Sequence, residues 1–586
     1  MKAQLDQRSD KLAADTAARI VESFEDYNDD FGRITRRARR RFDEREWKLG
    51  QRDAVERIEL YDHRVAGCVA GLVGQLGADI ADQTVWRHIR AEFSIQIEGR
   101  VDKAFYQTFF NSLTRKVFNT VGVNPEVEFL APDLEPALSV GEPPIRSYVV
   151  DGSLESAVKE VLEQFPSANA FADLAEVARQ VAAELEAYAT IHHQAHRVEN
   201  RIEALEMFVP VFYRATRAFL VGRIKGHAWI APLVLAIENT GNGLCVDAAI
   251  TATKEVRSLF GYSRSYFHVD LLAVGAAVNF LRSFMPDKPI DELYSVLGRA
   301  KQGKTERYRR LYKHLQASHD EFVHADGQRG MVMIVFTLPS CDLVFKIIRD
   351  KFEYPKTTSR ADVMNRYQFV FKHDRVGRLV DAQEFRRLRF PRSRFSAELL
   401  DELLSEAGQT CRLEGDDVIV EHCYIERRLR PLNLYLDEVD TWAAKQAVVD
   451  YGQAIKDLAR SNIFPGDLLL KNFGVSRSGR IIFYDYDELC LVTDCAFRDL
   501  PAARFEEDEL RAEPWFYVGN NDVFPEQFAN FLGLQPDLRD EFLDFHADLL
   551  TADFWRGLKT SHEAEQLLEV IPYTRRSSAS GVSAPA

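Results

Sequence analysis

Apolar residues recur at helical spacing through most of the first 320 residues of the chain. The runs SLESAVKEVLEQF, from Ser153, and FADLAEVARQVAAELEAYA, from Phe171, both place apolar side chains three or four positions apart. This period is that of an amphipathic α-helix with one buried face. Residues 1–320 are therefore predicted to form a mostly α-helical domain.

The pattern changes near residue 321, where short apolar runs rich in β-branched and aromatic residues replace the helical period. MVMIVFTL, from Met331, and LVFKII, from Leu343, are two such runs, and they predict β-strands joined by turns. After about residue 435 the helical period returns, as in TWAAKQAVVDYGQAIKDLARSN. The predicted fold class is α+β, and residues 577–586, which are small and polar, are predicted to be a disordered tail.

Composition restricts the functional classes. The 586 residues, 46% of them hydrophobic, suffice for two or more domains with their own cores. A net charge of -15 argues against a nucleic-acid partner. The seven cysteines follow no zinc or disulfide spacing, which fits a reducing compartment. Neither a secretory signal nor a membrane-spanning run is recognisable, so a cytoplasmic protein without a membrane partner is expected.

The segment PGDLLLKNFGVSRSGRIIFYDYDE, Pro465–Glu488, carries the most specific chemical pattern. Asp467 precedes Asn472 at the offset of the protein kinase catalytic loop, and Asp485 follows a predicted strand, where the metal-binding Asp of a kinase lies. Phosphoryl transfer depends on positioning and charge neutralisation, which two carboxylates and an amide can supply. The pattern also arises by chance, with Asp467 capping a turn and Asp485 ending a strand.

Upstream, Lys346 lies inside the apolar run LVFKII, and Gly327 and Gly330 precede the first predicted strand. In kinases a strand lysine holds the nucleotide phosphates and pairs with a helix glutamate, while a Gly-rich loop lets backbone amides approach the phosphates. Each feature alone has a simpler explanation, an edge-strand lysine or a hairpin turn. Their order along the chain, ending in Asp467, Asn472 and Asp485, predicts a phosphotransferase site.

Several longer runs resemble one known family over essentially the whole chain. They are RGMVMIVFTLP, VFKIIRDKF, HDRVGRLVDAQEF, YIERRLRPLNLYL, NIFPGDLLLKNFGV and IIFYDYDE, with LYDHRV and FGYSRSYFHV in the helical half. The family is that of the isocitrate dehydrogenase kinase/phosphatases, bifunctional bacterial enzymes that control carbon flow into the glyoxylate bypass. The resemblance implies a regulatory domain, residues 1–320, and a bilobal kinase-like domain, residues 321–576, with an N-lobe of about 321–430 and a C-lobe of about 431–576.

The resemblance further implies that ATP and Mg²⁺ bind between the lobes, and that one site phosphorylates and dephosphorylates a serine of isocitrate dehydrogenase. By the same resemblance Lys346 contacts the phosphates, Asp467 is the kinase base, and Asn472 and Asp485 hold magnesium. Asp381 matches the family's acidic residue associated with phosphatase chemistry, although from sequence it also reads as a helix N-cap. The loop around the ATP phosphates would comprise Ala325, Asp326, Gly327, Gln328, Arg329, Gly330 and Met331.

Two further expectations concern the surroundings of the lysine. Glu384 is predicted to be its partner, early in a helix that follows Asp381. The segment HCYIE, His422–Glu426, is predicted to be the hinge that contacts adenine.

Departures from ordinary kinases leave alternatives open. PGD replaces H-R-D, YDYDE replaces D-F-G, and no A-P-E follows, as in the atypical family. Small-molecule phosphotransferases of the aminoglycoside-kinase type share a late Asp-x-Asp-like motif, and a pseudokinase scaffold would bind ATP without turnover. The large helical half favours a protein substrate, and the four retained polar residues argue against a scaffold. The family also implies AMP and central metabolites as allosteric effectors.

Overall fold

The computed structural model describes residues 2–130, 141–196, 199–261, 267–353, 358–373, 377–501, 516–519 and 521–576. The chain forms two compact units, of which the first comprises Met1–Ser318 and Pro572–Ala586 and the second His319–Ile571. The second unit is thus inserted between two segments of the first. The tail predicted to be disordered, residues 577–586, lies outside the described residues.

Helices form most of the first unit. In the long helix α1 the side chains of Phe24, Tyr27 and Phe31 are buried and recur at helical spacing on one face. Among the described helices, none has the length and apolar character needed to cross a membrane. The bounds are α1 Lys2–Asp43, α2 Trp47–Leu76, α3 Gln83–Gln96, α4 Lys103–Phe118, α5 Leu154–Glu163, α6 Leu174–His196, α7 Thr253–Leu259, α8 Val274–Phe284, α9 Ile290–Val296 and α10 Ala300–Ala317.

The first unit also contains an antiparallel sheet that the helical period did not indicate. Its strands are β1 Ile145–Val149, β2 Ile202–Phe208, β3 Phe212–Arg214, β4 Arg217–Gly226, β5 Ile230–Asn239 and β6 Leu244–Ile250. They are ordered β1-β2-β4-β5-β6, with β3 beside β4, and α5 and α6 pack against the sheet in one core. Pro232 is tolerated within β5 because β6 pairs with β5 only from Val234 onward, so the missing amide removes no bond to β6.

The chain returns to the first unit after the second one ends. Tyr573 is 8% exposed, and its hydroxyl donates to Asp247 Oδ2 of β6 at 2.8 Å. The amide of Arg576 donates to the carbonyl of Asp247 at 3.0 Å, and its guanidinium pairs with Glu184 of α6 at 2.7 Å. Residues 572–576 therefore belong to the fold of the first unit.

The second unit begins with an N-lobe built on an antiparallel sheet, ordered β10-β12-β9-β8-β7 with β11 beside β12. Phe322 lies at the centre of an aromatic core, with ring centroids 5.2 Å from Phe345 and 5.1 Å from Phe390. The strands are β7 Val323–His324, β8 Met333–Thr337, β9 Leu343–Ile348, β10 Gln383–Pro391, β11 Cys411–Glu414 and β12 Asp417–Arg427, and the helices are α11 Arg360–His373 and α12 Ala397–Glu406.

The C-lobe is mainly helical around α14, whose buried face includes Val448, Tyr451 and Ile455. It also contains three small sheets, β13-β15-β16, β14-β17 and β18-β19, and the loops that follow β14 and β16 contain Asp467 and Asp485. The helices are α13 Leu432–Glu438, α14 Thr441–Arg460, α15 Phe528–Phe531, α16 Pro536–His546 and α17 Ala552–Glu563. The strands are β13 Arg430–Pro431, β14 Ile463–Phe464, β15 Phe473–Val475, β16 Ile481–Phe483, β17 Cys490–Leu491, β18 Ala496–Phe497 and β19 Asp522–Val523.

The returning segment supplies a test of the fold. Tyr573→Ala removes a buried aromatic ring and should lower the free energy of unfolding of the first unit by about 3–5 kcal/mol. Trp442→Ala, at a tryptophan that is 72% exposed, is the control, and its effect should stay within about 0.5 kcal/mol. Urea denaturation followed by circular dichroism measures both changes. Equal, small effects would show that Tyr573 does not stabilise the unit.

Candidate active site

Lys346 lies in the middle of β9, an interior strand in which every residue is buried. Its Nζ is 2.8 Å from Glu426 Oε2 and also donates to the backbone carbonyl of Tyr484 at 2.8 Å. A buried ammonium is tolerated only where such partners replace water. The explanation of Lys346 as an edge-strand lysine is therefore wrong.

The partner of Lys346 comes from the neighbouring strand β12. Lys346 lies opposite Tyr424 in the antiparallel register, and side chains two residues apart on a strand share a face, so Glu426 points to the same side as Tyr424. Burial raises the pKa of Glu426, against the effect of Lys346, and the nearby carboxylates of Asp485 and Asp381 add to the increase. Helix α11, RADVMNRYQFVFKH, contains no glutamate.

The prediction for Glu384 is wrong. Glu384 lies on strand β10 and not in a helix, and it pairs with Arg386 and, at 3.3 Å, with His422. Burial works to raise the pKa of this carboxyl, but the adjacent His422 imidazole and the hydrogen-bonded Arg386 guanidinium hold it at about 2. The sequence error arose because a strand was taken for a helix.

The predicted hinge, His422–Glu426, is corrected as well. These residues lie within β12, paired with β10 on one side and, from Tyr424 onward, with β9 on the other. The chain leaves the sheet only after Arg427 and enters β13 at Arg430. The segment therefore belongs to the interior of the N-lobe sheet.

The predicted phosphate loop lies between β7 and β8. Its start is fixed by the amide of Ala325, which donates to the carbonyl of Val335 at 3.0 Å. Gly327 has a φ of +114°, a conformation that side chains rarely adopt, and a Cβ at Gly330 would lie 2.9 Å from the carbonyl of Met333. Both glycines are thus required by the backbone.

Side chains of this loop reach other parts of the second unit. Asp326 pairs with Arg430 at 2.6 Å, and Arg329 pairs with Glu398. Lys471 Nζ donates to Gln328 Oε1 at 3.4 Å, which brings the loop to the segment that contains Asp467 and Asn472. Met331 ends the loop and is partly exposed.

Asp467 and Asn472 form a loop held by its own hydrogen bonds. Asp467 Oδ1 accepts from the amide of Leu469 at 2.9 Å, and Asn472 Nδ2 donates to the Asp467 carbonyl at 3.3 Å. Gly466 has a φ of +81°, and a Cβ there would lie 2.5 Å from the Glu488 carbonyl. The close approach explains why a glycine and not the arginine of H-R-D directly precedes Asp467.

Asp485 lies just beyond β16 and beside the same loop. The amide of the preceding residue, Tyr484, donates to the Asn472 carbonyl at 3.1 Å, and its carbonyl accepts from Lys346. One residue therefore joins the lysine to both proposed magnesium-binding positions. The sequence showed only the order of Lys346, Asp467, Asn472 and Asp485 along the chain. In the structure they lie in neighbouring segments joined by hydrogen bonds.

Asp381 joins this group through a parallel pairing. Leu379 forms a parallel bridge with Phe483 of β16, the Val380 amide donates to the Phe483 carbonyl at 3.3 Å, and the Tyr486 hydroxyl donates to the Val380 carbonyl at 2.9 Å. Parallel segments end at the same edge, so Asp381 emerges beside Asp485. Strand β10 follows Asp381, so its explanation as a helix N-cap is wrong.

Arg378 anchors the start of that segment. Its guanidinium donates to Asp450 at 2.7 and 2.8 Å, to Asp457 at 2.7 Å and to the Ile481 carbonyl at 2.9 Å. Burial works to lower the pKa of Arg378, but the two carboxylates raise it above its ordinary value. This contact was not predictable from the pattern of neighbouring residues, because Asp450 and Asp457 lie on a helix that follows more than seventy residues later.

The oxygen groups of the site fit magnesium. No set of three or more His, Cys, Asp or Glu side chains within the described ranges could hold a metal ion by itself. Mg²⁺ is usually held by one or two protein groups together with substrate phosphates and water. Asn472, which is 3% exposed, and Asp485 supply an amide oxygen and a carboxylate of the kind such an ion needs.

Two family models match this chain, and the boundary between them lies close to the boundary between the two structural units. The model described as "Isocitrate dehydrogenase kinase/phosphatase (AceK) kinase domain" matches residues 320–575, and the one described as the regulatory domain of the same protein matches residues 17–319.

The chain belongs to the isocitrate dehydrogenase kinase/phosphatase family. It is 47% identical over 569 residues to the isocitrate dehydrogenase kinase/phosphatase of Xanthomonas campestris pv. campestris (strain 8004), with 97% of both chains covered. The corresponding protein of Anaeromyxobacter sp. (strain Fw109-5) is 47% identical over 563 residues, covering 96% of this chain and 97% of the relative.

Membership in the kinase/phosphatase family makes the ion pair of Lys346 testable. Glu426→Gln preserves shape but removes the charge that fixes Lys346, so the rate constant of phosphate transfer should fall by roughly 10- to 100-fold. Glu384→Gln is the matched control, since Glu384 has no contact with Lys346, and it should retain activity. Transfer of labelled phosphate from ATP measures both variants. The opposite order of effects would restore Glu384 as the partner.

Proposed function

We propose that this chain is a bifunctional serine kinase and phosphatase that inactivates isocitrate dehydrogenase by phosphorylation and reactivates it by dephosphorylation. Acting in the cytoplasm, it would set the branch between the citric acid cycle and the glyoxylate bypass. The observation that carries the proposal is the convergence of Lys346, Asp467, Asn472 and Asp485 in a chain of this family. AMP and central metabolites are its proposed effectors.

In the kinase direction, residues Ala325–Met331 and Lys346 bind the phosphates of ATP. Asp467 accepts the proton of the serine hydroxyl while the serine oxygen bonds to the γ-phosphorus and the bond to the bridging oxygen of ADP breaks. Mg²⁺, when held by Asn472 and Asp485, neutralises charge on the phosphates. The hydrogen bond from Leu469 to Asp467 Oδ1 supports this role, because it fixes the carboxylate before substrate arrives.

In the phosphatase direction, Asp381 orients a water for attack on the phosphoserine, with nucleotide still bound at the same site. The support is the parallel pairing that carries Asp381 to the edge of the sheet where Asp485 lies. Gln383 Nε2 donates to Asp381 Oδ2 at 3.2 Å and so limits the orientations of the carboxylate. Asp467 would serve phosphorylation and Asp381 dephosphorylation, so a single nucleotide site could support both reactions.

The alternatives are less well supported. A small-molecule phosphotransferase does not require the 303 residues that match a regulatory domain of this family. A pseudokinase scaffold would not require Lys346, Asp467, Asn472 and Asp485 to be held together by hydrogen bonds.

The proposal is tested by transfer of labelled phosphate from Mg-ATP to purified isocitrate dehydrogenase, followed by a chase with unlabelled ADP or ATP. We expect transfer, and then release that depends on nucleotide. Asp467→Ala should abolish transfer but leave ATP binding, measured by calorimetry, nearly unchanged. Absence of transfer by the wild-type protein would refute the kinase assignment, and normal transfer by the variant would refute the role of Asp467.

Asp381→Ala separates the two directions. The rate of dephosphorylation should fall on the order of 10²-fold, as for loss of a group that orients a reactant, whereas phosphorylation should fall much less. The matched control is Asp553→Ala, because the Asp553 side chain is 92% exposed and pairs with Arg556 of its own helix. Both rates are measured with the labelled substrate. An equal loss of the two activities would contradict a separate role for Asp381.

A further inference from the structure

Cys490 and Cys495 form a close pair of thiols shortly after the segment that contains Asp485. Their Sγ atoms are 3.6 Å apart, and both residues are free cysteines. Cys490 is half-buried, whereas Cys495 is 3% exposed. The pair therefore combines a thiol that solvent can reach with a second thiol directly behind it.

The local backbone brings the two sulfurs together. Cys490 lies in β17, and a 3₁₀ turn over Val492–Asp494 reverses the chain before Cys495. The Cys495 amide donates to the Val492 carbonyl at 3.2 Å, and the Cys495 Sγ lies 3.4 Å from the Leu491 carbonyl oxygen. Lys559 of α17 donates to the Cys495 carbonyl at 2.7 Å and holds the far end of the turn.

The environment differentiates the two thiols. Hydrogen bonding from Cys495 lowers the pKa of Cys490 and Arg366 acts in the same direction, whereas burial and the carboxylates of Asp494 and Glu488 oppose them. The pKa of Cys495 is raised, first by its hydrogen bond with Cys490 and then by burial. Attack on an oxidant requires a thiolate, so Cys490 is suited to react first and Cys495 to react second.

The thiol pair is also joined to the catalytic loop. Cys490 is paired with Phe464 of β14, and Pro465, Gly466 and Asp467 follow directly. The Val492 amide donates to the Asn462 carbonyl at 3.3 Å, so the turn itself contacts the residue before β14. A disulfide has an S–S bond of about 2.05 Å, so the sulfurs would have to approach by roughly 1.5 Å. Because β17 is paired with β14, any backbone shift that accompanies this approach would reach the residues that precede Asp467.

We propose that Cys490 and Cys495 are an oxidation site, at which a peroxide converts the two thiols into a disulfide that slows phosphate transfer. The effect on transfer rests on the proposed role of Asp467. The site is distinct from the residues that bind nucleotide, and a thiol reductant restores it.

The reaction balances as two steps. The Cys490 thiolate attacks hydrogen peroxide, breaks the O–O bond and becomes a sulfenic acid, while hydroxide leaves and takes up a proton to form water. The Cys495 sulfur then attacks the sulfenic sulfur, forms the S–S bond and releases a second water, which carries off the Cys495 proton. Two thiols are oxidised by two electrons, and one peroxide is reduced to two waters.

The test uses the full chain, treated with hydrogen peroxide and then with an alkylating reagent, and digested for mass spectrometry. We expect a peptide in which a disulfide joins Cys490 to Cys495, so that neither cysteine is alkylated. Reduction before alkylation should remove this species. This readout does not depend on any enzymatic activity. Absence of the linkage, with both cysteines alkylated or over-oxidised separately, would overturn the proposal.

Activity is measured on the same samples with labelled ATP and isocitrate dehydrogenase. Oxidation should reduce the transfer rate roughly 10-fold or more, as for a small displacement of a catalytic group, and reductant should restore it. Cys495→Ser should be active and should not form the linkage. Cys245→Ser, at a half-buried cysteine of the first unit, should respond like the wild type. Linkage without loss of transfer would overturn the coupling to Asp467, whereas an inactive reduced protein would refute the proposed function instead.

Discussion

Arg378 carries a positive charge into the interior of the C-lobe, where only other parts of the chain can compensate it. Asp450 and Asp457 lie two helical turns apart on one face of α14, and the planar guanidinium reaches both while also binding the Ile481 carbonyl. Loss of either side of such a network leaves a buried charge uncompensated, which typically costs about 3–5 kcal/mol. The strand before Asp485 and the segment before Asp381 are thereby fixed to the same helix.

Site residues that lie close together along the chain could be predicted from the sequence. Asp467, Asn472 and Asp485 belong to one loop and strand, whose backbone geometry keeps a fixed spacing, so the kinase pattern identified them together. Helices with a clear apolar period, such as α5 and α14, were predictable for the same reason: the period is a property of neighbouring residues. Lys346 was recognisable because a charge inside an apolar strand needs a partner.

The remaining features depend on contacts between distant residues. Glu426 pairs with Lys346 only through the register of β9 and β12, which a single sequence does not specify. A partial sign was present, since Glu426 directly follows the apolar residues Cys423–Ile425, as Lys346 lies within its own apolar run. The sheet of the first unit was hidden because β4 and β5 are almost continuously buried, and buried strands lack the alternation that distinguishes a strand from a helix.

Helix α11 carries no glutamate, and the carboxylate that holds Lys346 comes from a strand of the same sheet. In protein kinases the glutamate that pairs with the lysine lies on a helix, and the position of that helix controls whether the ion pair forms. Movement of α11 in this protein would leave Lys346 and Glu426 together, because both are held in place by the backbone hydrogen bonds between β9 and β12. Inhibitors that act by trapping an outward helix would therefore have no inactive lysine conformation to select here.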